Sequence, residues 1–468
     1  MGQKLKFVLS DLYIGAGIST GGNHGADFVA DDQFIEFLHE IEQESERYRR
    51  ELELIINGNF LEFLCVPAVD HIEPGQTFPK EAFLNTSEEA SLKRLHLIRQ
   101  QHSKIFDVLS NFMHAGVPKR RITIIKGNHD VHLFWPRVKS RLRRMLRATG
   151  SRASLLLFAE EFVSREKIYV EHGHQRAEAI NRYADFLDPR HPQDPSQLYY
   201  PAGSRLIIDL FNEPEARYFF ANSIKPVTTL FWCTLQWNLI LAADILNNLV
   251  QNSLVIGTNG AGPTRMTSSP STNLLQYLSH REATYQTLQR CADDAVFRQE
   301  FYSQIQQYFF DNGQADSNTG RLSSCPNAPS DPLSMGRAAQ KNQRALLRQA
   351  AEEIAQREGA AVVLFGHTHH PTQVPLKNGG LYINTGCWLN DYSDASDETW
   401  QALFSRVQTY NPLPSRLPYV RIDFHEADNP TARLLDFAGS PLREKIKILS
   451  LPDRIRGWVT NLFGEPPG

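Results

Sequence analysis

Five short segments carry side chains able to do metal and acid–base chemistry: Asp11-Leu12-Tyr13, Gly58-Asn59-Phe60-Leu61-Glu62, Gly127-Asn128-His129-Asp130, His172-Gly173-His174 and Gly366-His367-Thr368-His369. Asp11 offers a hard anionic ligand, Asn128 a neutral carbonyl oxygen, and His172, His367 and His369 imidazole nitrogen. Residues i and i+2 of an extended segment point to one side, so His367 and His369 can converge. His174 is either a second ligand or a group that meets substrate, and Tyr13 and Asp130 are further possible metal or substrate groups. Such a set suits two borderline-to-hard cations such as Mn²⁺, Fe or Zn²⁺. Two ions about 3.5–4 Å apart clamp a phosphate, generate a hydroxide and stabilise the leaving oxygen. His129 could then protonate the leaving group. Taken singly, each segment also reads as a turn, a helix cap or a core histidine. Their joint arrangement carries the weight.

That arrangement depends on the elements before each segment. Residues 6–10, 53–57, 121–126, 167–171, 361–365 and 381–384 are short apolar runs ending at turn or metal-type residues, the pattern of buried strands with chemistry at their C-terminal ends. Asp32–Tyr48 and Glu88–Met113 show helical spacing, so strands and helices alternate. The alternation stops near Asn181 and resumes near Ala361. Between lie helical patterns at Arg205–Phe220, Thr228–Gln251 and Leu274–Phe310, two loop-like stretches at Gly257–Asn273 and Asn312–Met335, and a helix at Arg337–Gln356. Residues 181–340 therefore read as a helical insertion capping the site, 1–180 and 341–434 as a discontinuous core, and 435–468 as an amphipathic tail.

Apolar content of 41% and charged content of 22% describe an ordinary globular chain, and a net charge of −3 argues against whole-chain polyanion binding. No nucleic-acid module is evident. Five scattered cysteines without a CxxC pair read as reduced thiols. The strand-like Lys4–Leu9 leaves no room for a signal peptide, so a cytoplasmic chain is expected. Pro226–Ile256 is apolar but interrupted by polar residues, which fits a buried or membrane-contacting helix better than a spanning one. Pro136–Arg147 holds six basic residues and no acid. It reads as a solvated face, or as a contact for phosphate-rich substrate or an anionic membrane surface, which would make the chain membrane-peripheral.

The ordered series resembles the calcineurin-like metallophosphoesterases, whose pattern is DxH, GDxxD/E, GNHD/E, a lone His and GHxH. The resemblance covers residues 4–175 and 361–390. It implies a four-layer αββα sandwich with a dinuclear metal site. It would place Asp11 and His369 on the first metal, Asn128, His172 and His367 on the second, and Asn59 in the bridging position. His129 would be the acid and Glu62 its carboxylate partner. Phe60-Leu61-Glu62-Phe63, Glu171-His172-Gly173-His174-Gln175 and the insertion look most like the branch related to the UDP-2,3-diacylglucosamine pyrophosphatases, although that branch carries Arg where His129 stands here. The implied activity is hydrolysis of a phosphoester or pyrophosphate bond in a phosphorylated small molecule or lipid, with Mn, Fe or Zn.

Two positions depart from the pattern. Tyr13 replaces the first motif's His, and a phenol that ionises near pH 10 is a poor ligand for a divalent ion. Asn59 replaces the bridging Asp, and an amide bridges badly and brings no charge. One strong and one weak or empty metal position are expected. The alternative is a catalytically impaired pseudophosphoesterase that binds a phosphorylated or lipid ligand.

Overall fold

In a computed structural model, residues 4–16, 28–73, 76, 78–114, 117–211, 220, 223–258, 278–305, 331–405, 414–424 and 430–437 are described. Strands β1 (Lys4–Leu9), β2 (Glu51–Asn57), β3 (Arg120–Ile125), β4 (Leu156–Ala159), β5 (Phe162–Arg165) and β6 (Ile168–Glu171) come first. A hairpin, β7 (Arg190–His191) and β8 (Asp194–Leu198), precedes β9 (Val362–Phe365), β10 (Thr372–Pro375), β11 (Leu381–Asn384), β12 (Pro418–Asp423) and β13 (Thr431–Asp436). One sheet has the order β13-β12-β1-β2-β3-β4, with β1 to β4 mutually parallel. The other has the order β10-β11-β9-β6-β5, with β11, β9 and β6 parallel.

The sheets face each other through Val8, Ile55 and Ile125 on one side and Val170, Leu364 and Ile383 on the other, a single buried cluster. On the first sheet's outer face, Phe7, Leu54, Ile56 and Ile124 pack with helices α1 (Asp31–Tyr48), α2 (Glu88–Gln101), α3 (Ser103–His114) and α4 (Pro136–Met145). On the second sheet's outer face, Tyr169, Val363 and Phe365 pack with Leu347, Ala351 and Ile354. Four layers, αββα, result. Because strand side chains alternate, each buried strand feeds both an inner and an outer core.

The insertion opens with the β7–β8 hairpin, not expected from the sequence, and is otherwise helical: α5 (Ala202–Phe211), α6 (Val227–Trp237), α7 (Leu239–Thr258), α8 (Arg281–Asp293) and α9 (Ala295–Ile305), with α10 (Pro332–Glu358) and α11 (Asp397–Ser405) following. Its core, around Phe231, Trp232 and Leu246, is continuous with Trp400 and with Leu64 and Val131, which lie within two residues of the ends of two chemical segments. The expected boundaries at 340/341 and 434/435 both fall inside single elements, α10 and β13. Almost all of the expected amphipathic tail lies outside the described residues, as does most of both loop-like stretches.

Three expected helices are each two, Leu274–Phe310 breaking at Asp294 between α8 and α9. Glu88–Met113 breaks at His102, whose Nδ1 lies 2.9 Å from Asp31 Oδ1 at the start of α1. Thr228–Gln251 breaks at Asn238, whose side-chain oxygen accepts from Leu241 N at 3.0 Å and so caps α7. Among the described residues no helix is long and apolar enough to cross a membrane.

Candidate functional site

The five segments meet where the parallel strands of both sheets end. Asp11 and Tyr13 follow β1, Asn59 follows β2, Asn128 and His129 follow β3, His172 and His174 follow β6, and His367 and His369 follow β9. All nine are buried. Asp11, Tyr13, Asn59, His367 and His369 have φ between 52° and 68°, the left-handed region that non-glycine residues rarely enter. Gly58 (φ 79°) lies so close to His172 that a Cβ there would stand 2.3 Å from its Nδ1. A Cβ at Gly366 would stand 2.5 Å from Ser10 Oγ and 2.8 Å from Asp11 Oδ2. The glycines of these segments thus let the loops close on one another.

At the first expected metal position the side chains bond to each other. Tyr13 OH lies 3.1 Å from Asp11 Oδ1 and 2.9 Å from His369 Nε2. Asn59 Oδ1 accepts from the His129 backbone N–H at 2.9 Å, a group that can only donate. The amino end of Asn59 is therefore the end that reaches Asp11 Oδ1 (2.9 Å), Tyr13 OH (3.0 Å) and Asn128 Oδ1 (3.3 Å). Asn59, expected as a metal ligand, instead presents N–H donors. Burial pushes the Tyr13 phenol well above its ordinary value, and Asp11 and Glu62 add to this, so it is no tyrosinate. Burial works to raise Asp11, but His172, His369, the Ser10 hydroxyl and the His367 N–H outweigh it and hold the carboxyl below the usual range.

The second position differs. His172 Nδ1–H donates to the Asn57 carbonyl at 2.9 Å, which leaves the Nε2 lone pair 3.1 Å from Asn128 Oδ1. Two acceptors face each other there unless a proton or a cation joins them. His367 Nδ1, His369 Nδ1 and both nitrogens of His174 are buried without a partner. Burial, with His172 adding to it, pushes His367 and His174 well below their ordinary values; burial and Lys225 push His369 down to about 3. These imidazoles are neutral and able to ligate. Among the described residues, no group of three or more His, Cys, Asp or Glu side chains already stands as a metal site. Asn128, His172 and His367 thus offer donors suited to one ion, whereas Asp11 and His369 are hydrogen-bonded to Tyr13, and Asp11 also to Asn59.

Glu62 and His129 form a wholly buried pair, with Oε2 2.6 Å from Nδ1. The other Glu62 oxygen accepts from Leu64 N and Cys65 N, which fixes the carboxylate. His129 Nε2 has no partner and the ring stands edge-on to Tyr13, centroids 4.7 Å apart. Asp130, a possible metal or substrate group by its sequence position, turns both oxygens to backbone N–H groups and acts on His172 electrostatically. Its oxygens accept from Gly127 N at 2.6 Å and Phe60 N at 2.8 Å, stapling two loops together.

Residues of the insertion also enter the site. Asn181 Nδ2 lies 3.4 Å from His367 Nε2 and 3.0 Å from Glu178 Oε2, and Tyr183 OH donates to the Asn128 carbonyl at 3.3 Å. Lys225 is buried just ahead of α6 and acts electrostatically on His367 and His369. No sequence motif marks these positions.

No family model matches the chain, and no curated protein matches it. Among solved structures, a dimetal phosphatase from Danio rerio aligns over 93% of this chain and 96% of its own, with 10% identity and a TM-score of 0.28. A superposition that loose bears on neither fold nor chemistry. No match singles out the UDP-2,3-diacylglucosamine pyrophosphatase-related branch.

Proposed function

We propose that the protein is a metal-dependent phosphoesterase that works with one ion, held by Asn128, His172 and His367. The carrying observation is the buried Glu62–His129 pair with Nε2 open. Glu62 accepts the Nδ1 proton and so fixes the tautomer, leaving Nε2 to hand a proton to a departing oxygen. When bound, the ion would supply positive charge to the phosphate and acidify a water. Asn181 and Tyr183 hold the ligand loops from the insertion side, and the insertion's core limits water around the site.

The substrate is a phosphorylated small molecule or lipid, and the setting cytoplasmic. In α4 and just after it, Arg137 pairs with Glu89, Lys139 with Glu160, and Arg143 bonds carbonyl oxygens. Arg141, Arg144 and Arg147 remain exposed without an acidic partner among the described residues, and an anionic membrane surface would meet these three. A second reading, a ligand-binding pseudophosphoesterase, is favoured by one observation: the Tyr13–Asn59–Asp11–His369 hydrogen bonds.

The test is hydrolysis of p-nitrophenyl phosphate and bis-p-nitrophenyl phosphate with Zn²⁺, Mn²⁺ or Fe²⁺, for the natural chain and His129→Ala. Turnover that falls about 10²–10⁴-fold in the variant supports the phosphoesterase. No turnover with any ion, alongside saturable binding of inorganic phosphate, supports the second reading.

A further inference from the structure

We propose that Lys225 is the anion-binding residue of this site: its ammonium takes a non-bridging oxygen of the incoming phosphoryl group and stands in for the charge a second ion would bring. That the phosphoryl group is then hydrolysed rests on the function proposed above; anion binding does not.

Lys225 comes from the insertion, directly before Pro226 and α6. Its backbone is anchored on both sides. Lys225 N donates to Ser393 Oγ at 2.9 Å, and Tyr392 N donates to the Ser223 carbonyl at 2.8 Å. Residues 392–393 follow Cys387 and Leu389, which pack with Tyr13. On the other side, Thr228 N and Oγ1 donate to Glu178 Oε1 at 3.3 and 2.9 Å. The second Glu178 oxygen meets Asn181, the residue that reaches His367. Lys225 is thereby tied to the Tyr13 side and to the His367 side of the site.

Lys225 is 5% exposed, yet among the described residues its ammonium makes no hydrogen bond or ion pair. An ammonium taken out of water is costly unless an opposite charge meets it. Burial holds it below its ordinary value, and Glu178, Asp11 and Glu62 oppose this only through space. Those carboxylates are engaged elsewhere. Glu178 serves Thr228 and Asn181. Asp11 accepts from Ser10 Oγ, the His367 N–H, Asn59 and Tyr13. Glu62 is taken by His129, Leu64 N and Cys65 N. An anion entering beside Lys225 favours its charged form and gives it the missing partner. The residues that feel this charge locate its use. They include His367, and also Asp11 and His369, the pair expected at the first metal position. A fixed cation there supplies charge that Tyr13 and Asn59, as poor ligands, do not recruit, and a preset charge stabilises a transferring phosphoryl group without reorganisation.

The test is binding of inorganic phosphate to the full chain, as isolated and after chelation, measured by isothermal titration calorimetry for the natural chain, Lys225→Met and Lys225→Arg. The natural chain should bind one phosphate. Lys225→Met should bind it about 10–100-fold more weakly, the loss expected for one hydrogen bond between charged groups. Lys225→Arg, which keeps the charge, should stay closer to the natural chain than Lys225→Met does. A crystal of the natural chain soaked in phosphate should place an oxygen about 2.7–2.9 Å from Lys225 Nζ, a measurement that stands even if neither variant folds. No phosphate binding, an unchanged Lys225→Met, or phosphate bound out of reach of Nζ would overturn the proposal. Lys225-dependent binding without any phosphoester turnover would sink the functional reading alone. Turnover of p-nitrophenyl phosphate that Lys225→Met leaves unchanged would sink the role of Lys225 alone.

Discussion

Asn59→Asp converts a hydrogen-bond donor into a charge at the centre of the site. The Asn59 amino group gives hydrogen bonds to Asp11 Oδ1, Tyr13 OH and Asn128 Oδ1, at 2.9, 3.0 and 3.3 Å. In the variant an oxygen takes that place, and two of the three partners are acceptors with nothing to give. Two carboxylates whose charge centres lie roughly 4 Å apart repel by about 4 kcal/mol at an effective dielectric constant of 20. The pair therefore keeps a proton and titrates above the usual carboxylate range. A folded-state value above the unfolded one gives stability that is complete at low pH and lost as pH rises through the folded value. Metal-free Asn59→Asp should melt well below the natural chain at pH 8, with the gap narrowing toward pH 5. Added Zn²⁺ or Mn²⁺ should close the gap at pH 8, because a cation now replaces the missing donors. Differential scanning fluorimetry on chelator-treated protein reads all three effects. Equal melting at pH 8 without metal, or a gap that widens toward pH 5, would refute this arrangement of the site.

Three further outcomes follow from the same geometry. His174, His367 and His369 are held below the ordinary histidine value, the last at about 3, so the fold favours their neutral forms. Their contribution is present above about pH 6.5 and lost as pH falls, by up to about 1.4 kcal/mol per group per pH unit; urea midpoints that stay flat from pH 6.5 to 5.5 would contradict this. Tyr13→Phe should destabilise the metal-free chain by about 1–3 kcal/mol, and a cycle with Asn59→Ala should show coupling above about 0.5 kcal/mol. Arg94, fully buried, donates to the carbonyls of Val66, Asn85, Ala82 and Phe83, so Arg94→Met should cost about 3 kcal/mol or more in urea unfolding.

The strand ends were legible because each ligand-type residue follows an apolar run, and that is a local pattern. β9, for example, ends at Phe365, directly before Gly366 and His367. The roles of Asp130 and Asn59 were not legible. Whether a carboxylate faces a metal or a pair of backbone N–H groups depends on a loop contributed from 70 residues away. Asn181 and Tyr183 escaped for a related reason, since their partners, His367 and the Asn128 carbonyl, lie 186 and 55 residues distant. His102 and Asn238 break helices whose apolar spacing runs straight through them. Periodicity reports which face is buried, and the same face continues on both sides of each break.

The left-handed backbone at five site residues separates what the scaffold fixes from what the side chains decide. Such conformations cost about 1–3 kcal/mol each and persist only where the surroundings over-determine them. Here the surroundings are other loops. Asp11 N donates to Gly58 O, Tyr13 N to Asn59 O, Ile14 N to Phe60 O, and Glu62 N to Ile14 O. None of these four bonds involves a side chain or needs an ion. Tyr13 holds φ 54° although a bulky aromatic gains nothing from it, and Asn59 holds φ 52° with its side chain bonded at both ends, Oδ1 accepting from His129 N and the amino end donating to Asp11. These four bonds are therefore independent of the two side chains that depart from a dinuclear ligand set, while Asn59 Oδ1 also ties the loop after β3 through His129 N. Changing them together to His and Asp alters charge and ligation without asking the backbone to move. Tyr13 and Asn59 thus sit on a backbone whose four loop-to-loop bonds neither side chain makes.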